Sequence, residues 1–193
     1  VRNLQKFGVP VLVAINHFVT DSEAELDLIF SECRKLGVPA ELSQVWAQGS
    51  QGGEKLAQSL LNLLQKDKAH FAPLYDHTLD LQAKISVIAK EIYGAAEVAY
   101  TPAAKRALAG MEQLGFGQLP VCMAKTPYSF SDQPSLLGAP EGFTIHVSSV
   151  SLSAGAGFVV VETGNTMTMP GLPKSPAAEH MSLEADGTIQ GLM

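Results

Sequence analysis

The stretch VLVAINHFVTD, residues 11–21, constrains the fold more than any other part of the chain. Val11 to Ile15 form an unbroken run of apolar residues. A run of this kind is typical of a strand in a parallel sheet that is covered on both faces. The chain should turn polar where such a strand ends, yet Asn16 and His17 are followed by Phe18. The pattern predicts a buried strand with an exposed aromatic side chain just past its end.

A strand that is apolar on both faces needs sheet neighbours on both sides and helices above and below. One or two strands cannot provide this environment. The chain also begins with Val1 and reaches this strand only ten residues later. We therefore expect the chain to be a piece of a longer polypeptide.

The composition is that of a globular protein, with 193 residues of which 46% are hydrophobic and 17% charged. The net charge of −6, without a cluster of Lys and Arg, argues against a nucleic-acid partner. Apolar runs fall far short of the roughly 18 residues that a membrane span needs. The N-terminus also lacks the layout of a signal peptide. These features predict a cytoplasmic protein with no membrane partner.

The first 70 residues predict a β-α-β-α order. Thr20–Glu23 has the Thr-x-x-Glu form of a capping box and precedes a helical pattern that ends at Gly37. Pro39–Trp46 alternates loosely, as a second strand does, and Leu56–Leu64 carries leucines at helical spacing. Right-handed crossovers make the two strands parallel, so their carboxyl ends meet at one edge of the sheet, where ligands bind.

The rest of the chain changes from helix to sheet. Helices are predicted over 79–92 and 101–115, the second with Thr101 as N-cap and Pro102 at its first position. Strands are predicted over 119–124, 143–147 and 158–161 and near Met167. The fold class is therefore α/β: a βαβα segment of a larger P-loop-type parallel sheet over residues 1–70, a helical connector over 71–118 and a β-rich C-terminal domain over 119–193.

Most motifs in the chain give weak functional signals. GSQGGEK, residues 49–55, is a glycine-rich turn that could contact an anion, but Lys55 is followed by Leu56 and the turn is not a Walker A loop. The histidines show no metal-ligand spacing, so no metal site is predicted. No residue is a convincing nucleophile or general base. Asn16 either hydrogen-bonds a nucleotide base or caps a turn.

Phe18 and Trp46 give a stronger signal, because the topology places both just past the ends of neighbouring strands. Trp46 is the sole tryptophan, and a glycine-rich loop follows it. Two aromatic rings at this edge could hold a flat heteroaromatic ring between them, with stacking that contributes about 1–3 kcal/mol per ring. The alternative, ranked about equal, is a small hydrophobic cluster beneath the loops.

Six segments carry a resemblance to a known family: VAINHFVTDSEAELDLI, VWAQGSQGG, EIYGA, LPVCMAKTPYSFSD, LSAGAGF and MTMPGLPKSPAA. In this order they closely resemble the C-terminal part of formate–tetrahydrofolate ligase, and the likeness spans essentially the whole chain. The resemblance implies an ATP-dependent enzyme that joins formate to N10 of tetrahydrofolate through formyl phosphate. It also implies small-molecule substrates and a homotetramer in the bacterial members.

The resemblance also implies roles for individual residues. Phe18 and Trp46 match the two aromatic residues that enclose the pterin ring of folate, and Leu42 matches a leucine that lines the same pocket. Val19 stands in this pocket where the family commonly has proline, a change that frees the backbone φ of the loop. ATP and its Mg²⁺ are implied to bind mainly to residues of the N-terminal part, to which nothing in this chain corresponds. The chain by itself is therefore expected to be inactive.

Two other functions are consistent with the residues. One is a non-catalytic structural or assembly module, such as a truncated paralogue. The other is the purine-binding half of a different P-loop enzyme, with Asn16 contacting the base. Binding of folate and ATP analogues, each tested separately, distinguishes these alternatives from the ligase.

Overall fold

A computed structural model describes residues 1–66, 68–124, 129–164 and 174–191. In these ranges a two-stranded parallel sheet lies near the N-terminus, a four-stranded mixed sheet lies in the second half, and a short two-stranded sheet follows it. Helices connect the two strands of the first sheet and the first two strands, in chain order, of the second sheet, whereas the last two strands of the second sheet are joined by a tight turn at 154–157. The predicted α/β class is confirmed.

The N-terminal unit has the predicted β-α-β-α order. Its elements are α1 (Arg2–Gln5), β1 (Val13–Asn16), α2 (Glu23–Lys35), β2 (Ala40–Ser43), α3 (Val45–Gln48), a 3-10 turn (Gly49–Gly53) and α4 (Glu54–Lys66). Strands β1 and β2 pair in parallel, with Asn16 opposite Ser43. The predicted parallel pairing is confirmed, and both strands end at the same edge of the sheet.

Helix α2 begins two residues later than the capping pattern predicts. The N-cap is Ser22, whose hydroxyl accepts the backbone N–H of Glu25 at 3.4 Å, while the Glu25 carboxylate accepts the backbone N–H of Ser22 at 2.8 Å. The capping box predicted at Thr20–Glu23 is therefore wrong. The physical reason is that Asp21 accepts the N–H of Phe18 and keeps the chain in a turn up to Ser22.

Strand β1 is buried on one face in the described structure. Ile15 is only 7% exposed, whereas Ala14 and Asn16, on the other face, are exposed. Within the described residues β1 pairs with β2 on one side. The sequence prediction that β1 lies inside a larger sheet stays a prediction.

The second half of the chain is built around the four-stranded sheet. Its elements are α5 (Leu81–Glu91), β3 (Glu97–Tyr100), α6 (Pro102–Gln113), β4 (Val121–Ala124), β5 (Thr144–Ser153) and β6 (Phe158–Thr163). The strand order is β3-β5-β6-β4, and β5 and β6 pair antiparallel while the two outer pairs are parallel. A 3-10 turn (Ala177–His180) and the hairpin of β7 (Ser182–Leu183) and β8 (Ile189–Gln190) follow.

Helices α5 and α6 pack on one face of this sheet and form the main hydrophobic core. Both begin with a side-chain cap. Asp80 is the N-cap of α5. Thr101 is the N-cap of α6 and Pro102 is its first residue, as predicted for that helix. The alternation predicted around Ile145 and Val147 is confirmed, since both side chains are fully buried. The buried cluster consists of Leu81, Ile85, Ala104, Leu108, Met111, Val147, Val150, Val159 and Val161.

The range 71–118, predicted as a helical connector, also contains a strand. Strand β3 lies between α5 and α6 and pairs in parallel with β5, so this range contributes to the second sheet. Sequence reasoning missed it because the EVAY segment is only four residues long and follows a helix closely. The strand predicted near Met167 lies outside the described residues, and the domain boundaries stay a prediction.

Candidate functional site

Phe18 and Trp46 lie side by side at the edge where β1 and β2 end. Their ring centroids are 5.7 Å apart and the ring planes differ by 26°, which is a stacked arrangement. Phe18 is 47% exposed and Trp46 is 54% exposed. This exposure argues against a hydrophobic cluster covered by loops. We call these two residues the aromatic pair.

Trp46 reaches this position from a helix and not from a strand. The sequence predicts a strand over Pro39–Trp46, but β2 ends at Ser43 and Trp46 lies in α3. The strand stops because the backbone N–H of Gln44 turns away and donates to the carbonyl of Gly52 at 3.0 Å. The prediction is wrong for these last residues, because a contact with the following loop decides where the strand ends.

The glycine-rich loop allows this contact. A Cβ atom at Gly52 would lie 2.4 Å from the backbone oxygen of Gln44, a distance that no side chain tolerates. Glycine at this position therefore lets the loop approach the end of β2 closely. This role explains part of the glycine content that the sequence also connected with anion binding.

The peptide bond between His17 and Phe18 joins the two members of the aromatic pair. Its carbonyl oxygen accepts the indole N–H of Trp46 at 2.8 Å, and its N–H donates to the Asp21 carboxylate at 2.8 Å. Each polar group of this peptide therefore has a partner. The backbone geometry at the end of β1 is fixed from both sides.

A second set of hydrogen bonds links the same edge through side chains. Nε2 of Gln44 lies 2.9 Å from Nδ1 of His17, and Oε1 of Gln44 accepts from the Gln48 amide at 3.1 Å. With this amide orientation Gln44 donates to Nδ1, so the imidazole carries its hydrogen on Nε2. His17, Asp21 and Gln44 had no sequence signal of their own, because their roles depend on contacts between two strand ends.

The other predicted site residues lie near this edge but differ in exposure. Val19 is 85% exposed in the loop after Phe18. Leu42 is half-buried in β2, opposite Ile15. Asn16 is exposed at the last position of β1. The structure brings Phe18 and Trp46 into contact.

The two rings are too close for a third ring to lie between them. Aromatic carbon atoms in contact are about 3.5 Å apart, so a ring held between two others requires about 7 Å between the outer planes. The centroids are 5.7 Å apart. A flat ligand can therefore enter only if one ring moves aside, and the exposure of both rings leaves space for this movement.

The described ranges contain neither a metal cluster nor a membrane helix. No group of three or more His, Cys, Asp and Glu side chains is arranged there to hold a metal ion. None of the helices described is both long and apolar enough to cross a bilayer.

Comparison with known proteins gives one family. The family model for formate–tetrahydrofolate ligase matches residues 1–193. A formate–tetrahydrofolate ligase from Hyphomonas neptunium (strain ATCC 15444) is 52% identical over 192 residues, which covers 100% of this chain and 34% of that relative. The chain thus spans about a third of the length of the curated relative that it matches.

Proposed function

Since the chain belongs to the formate–tetrahydrofolate ligase family, we propose that it forms the folate side of the active-site cleft of such a ligase. The complete enzyme would join formate to N10 of tetrahydrofolate, using ATP and passing through formyl phosphate. The observation that carries this proposal is the exposed, stacked pair of Phe18 and Trp46 at the carboxyl edge of a parallel sheet. This edge is where α/β proteins bind ligands.

The aromatic pair suits the pterin ring of tetrahydrofolate. A pterin is flat and heteroaromatic, and stacking on an aromatic side chain holds such rings without a specific hydrogen-bond pattern. Leu42 and Val19 would add apolar contacts at the border of the pocket. The polar groups of the His17–Phe18 peptide bind Trp46 and Asp21, so the role that we propose for this peptide is to shape the pocket.

Catalysis in this part of the ligase would consist of positioning. A pterin held at a fixed edge places N10 against the acyl carbon of formyl phosphate, and an oriented encounter of this kind supplies much of the rate. We assign no nucleophile and no general base to this chain. We assign no general acid either.

The residues described here do not fit a site for ATP and Mg²⁺. The turn at Gly49–Gly53 leads into α4 without a Walker A sequence, and the described ranges contain no carboxylate cluster for a metal. We propose that the remaining part of the ligase binds ATP. Asn16, exposed at the end of β1, is the one residue here that we propose at the border of that nucleotide site.

The apolar face of α4 supports the proposal of a larger sheet. Leu60, Leu61 and Leu64 are between 45% and 65% exposed. A groove of about 500 Å³ runs along this helix, lined by Pro10, Leu12, Gly53, Leu56, Ala57, Leu60, Leu63 and Leu64. We propose that further strands and helices of the complete ligase cover this face. We also propose that the complete enzyme is a cytoplasmic homo-oligomer.

Removal of either ring tests the folate site. In the complete ligase, Phe18→Ala and Trp46→Ala should each weaken tetrahydrofolate binding by about 1–3 kcal/mol, because each removes one stacking surface. The KM for ATP should hardly change. Phe71→Ala is a matched control, since Phe71 is also an exposed ring, 67% exposed and stacked on Phe7 away from this edge.

Two results would contradict the proposal. Loss of folding in both variants, with unchanged tetrahydrofolate affinity in the folded fraction, would show that the aromatic pair is structural. ATP-dependent synthesis of formyltetrahydrofolate by the 193-residue chain, at a rate near that of a complete ligase, would show that this chain carries more than the folate side.

A further inference from the structure

We propose that the aromatic pair is asymmetric: Trp46 is held in one orientation, Phe18 is the ring that moves aside, and Gln44 is the positioning residue that holds Trp46. This inference rests on the proposed function, because it describes how the folate site opens. The gap between 5.7 Å and the roughly 7 Å that a third ring requires makes a movement necessary.

The indole of Trp46 has a directional bond that the ring of Phe18 lacks. Its N–H donates to the carbonyl of His17 at 2.8 Å, so a change of side-chain rotamer would leave the N–H without this partner. A phenylalanine ring has no polar atom, and its rotation breaks no hydrogen bond. Phe18 can therefore leave the stack at a lower cost than Trp46.

The backbone of Phe18 is fixed, so the movement is confined to its side chain. The Phe18 N–H donates to Asp21, and the Phe18 carbonyl accepts the N–H of Asp21 at 3.1 Å. Both backbone groups of Phe18 are held by the same residue. We infer that the site opens by a rotamer change of an exposed ring, an event of picoseconds to nanoseconds, without a loop movement.

Gln44 fixes the helix that carries Trp46. Helix α3 has only four residues and is too short to be stable by itself. Gln44 joins it to β1 through His17 and to its own last residue through Gln48. The backbone N–H of Gln44 donates to the carbonyl of Gly52, so the backbone position from which the Gln44 side chain extends is fixed. Loss of this amide should loosen α3 and expose the indole N–H.

The sole tryptophan makes the test simple, since the chain gives one indole N–H resonance. Hydrogen exchange of this N–H is measured in the ligand-free chain. We expect protection in the wild type and exchange about five- to tenfold faster in Gln44→Leu, the effect of losing one hydrogen bond. Gln44→Glu should retain protection within about twofold, because a carboxylate accepts from the Gln48 amide and, when the imidazole takes its other tautomer, from the Nδ1–H of His17.

A matched control is Gln58→Leu. Gln58 bonds to Asn62 on the surface of α4, so the same substitution there should leave the indole exchange unchanged. Side-chain couplings of the ligand-free wild type provide a measurement that needs no variant. They should show one rotamer for Trp46 and averaging between rotamers for Phe18.

Three results would overturn the inference: an unprotected indole N–H in the wild type, a Gln44→Leu variant with wild-type exchange, or rotamer averaging at Trp46 with a single rotamer at Phe18. Failure of the proposed function has a different signature. If tetrahydrofolate shifts the resonances of neither ring, the folate site is wrong, while the ligand-free exchange rates and couplings still decide which ring is held.

Discussion

At the scale of single residues, backbone contacts decide the shape of the site. Gly52 and the His17–Phe18 peptide contribute no side chain to the aromatic edge, yet they determine where β2 ends and where both rings lie. The first contact requires that Gly52 has no Cβ atom, and the second requires the His17 carbonyl oxygen. A substitution at Gly52 should therefore disturb the site, although glycine has no side chain that could contact a ligand.

Gly52→Ala should destabilise the protein by about 1–3 kcal/mol, the usual cost of forcing extra atoms into a packed site. The new Cβ would lie 2.4 Å from the Gln44 backbone oxygen, and backbone atoms cannot give way as a flexible side chain can. The measurement is the free energy of unfolding by urea. Gly110→Ala is the control: nothing lies within 4 Å of its Cβ position in α6, and Ala is the better helix former. Equal effects of the two substitutions would contradict the close approach.

The raised pKa of Tyr100 predicts that the folded protein loses stability at high pH. Burial raises the pKa of Tyr100 from 10.0 to about 12, and the nearby Asp80 adds to the shift. The folded protein therefore keeps this proton when the unfolded chain has lost it, so stability falls as the pH rises from 10.0 towards 12. With allowance for partial solvent exposure, the loss due to Tyr100 is about 1–2 kcal/mol.

Tyr100→Phe should remove this part of the alkaline loss. Urea unfolding of both proteins measures it: the variant should lose less stability than the wild type at high pH, and their difference should be constant at neutral pH. Parallel curves over the whole alkaline range would show that Tyr100 titrates alike in the folded and unfolded states.

At the scale of elements, helix termini and buried polar contacts fix how helices meet strands. Lys84 of α5 is fully buried, and its ammonium group donates to the carbonyl oxygens of Gly117 and Leu119, each at 3.1 Å. Burial lowers the pKa of Lys84, with nearby carboxylates such as Asp80 opposing the shift. One side chain thus connects α5 to the segment that leads into β4.

The cap of α2 matters because this helix begins directly after the loop that carries Phe18. Ser22→Ala removes the side-chain acceptor of the Glu25 N–H and should cost about 1 kcal/mol of unfolding free energy. Thermal or urea unfolding measures the loss. Ser86→Ala makes the same change inside α5, where Ala favours the helix, and should be neutral or slightly stabilising. A neutral Ser22→Ala would show that the helix begins elsewhere in solution.

At the scale of the whole molecule, the strands of the two larger sheets differ in how many neighbouring strands they pair with. In the described structure β1 has one paired neighbour, whereas β5 pairs with β3 on one side and β6 on the other, and its Ile145 and Val147 are fully buried. The two halves also contact each other through polar groups: the Asn3 amide donates to the Ile92 carbonyl at 3.0 Å, and Lys6 pairs with Glu91 at 2.9 Å. The Lys6–Glu91 ion pair is exposed and therefore adds little stability.

Amide hydrogen exchange of the 193-residue chain should therefore show β1 opening before β5. We expect the amides of Val13–Asn16 to exchange at least about tenfold faster than those in the middle of Thr144–Ser153, since local openings span the range from near zero to the global free energy. Equal or greater protection of β1 would mean that a further strand covers it, and dilution would then show whether another copy of the chain supplies that strand.

Local sequence determined the elements that depend on nearby residues. Helices α2, α4, α5 and α6 were predicted from 3.6-residue periodicity and from nearby glycine and proline residues. The cap of α6 was predicted at Thr101, whereas the cap of α2 was predicted two residues too early. The parallel pairing of β1 and β2 followed from chain topology. The family resemblance, which the comparisons confirm, came from motifs that are continuous segments of the sequence. The helices and the family motifs are local in sequence, and the crossover rule is general, so these features can be predicted without coordinates.

Tertiary structure decided what depends on residues far apart in sequence. Strand β3 is a strand because β5 pairs with it, and its four residues carry too little pattern to be recognised. The placement of Trp46 on a helix depends on a bond between Gln44 and Gly52, and the orientation of its indole depends on the carbonyl of His17. The closed stack of Phe18 on Trp46 could not be predicted either, because a separation of 5.7 Å results from two backbones that meet at one sheet edge.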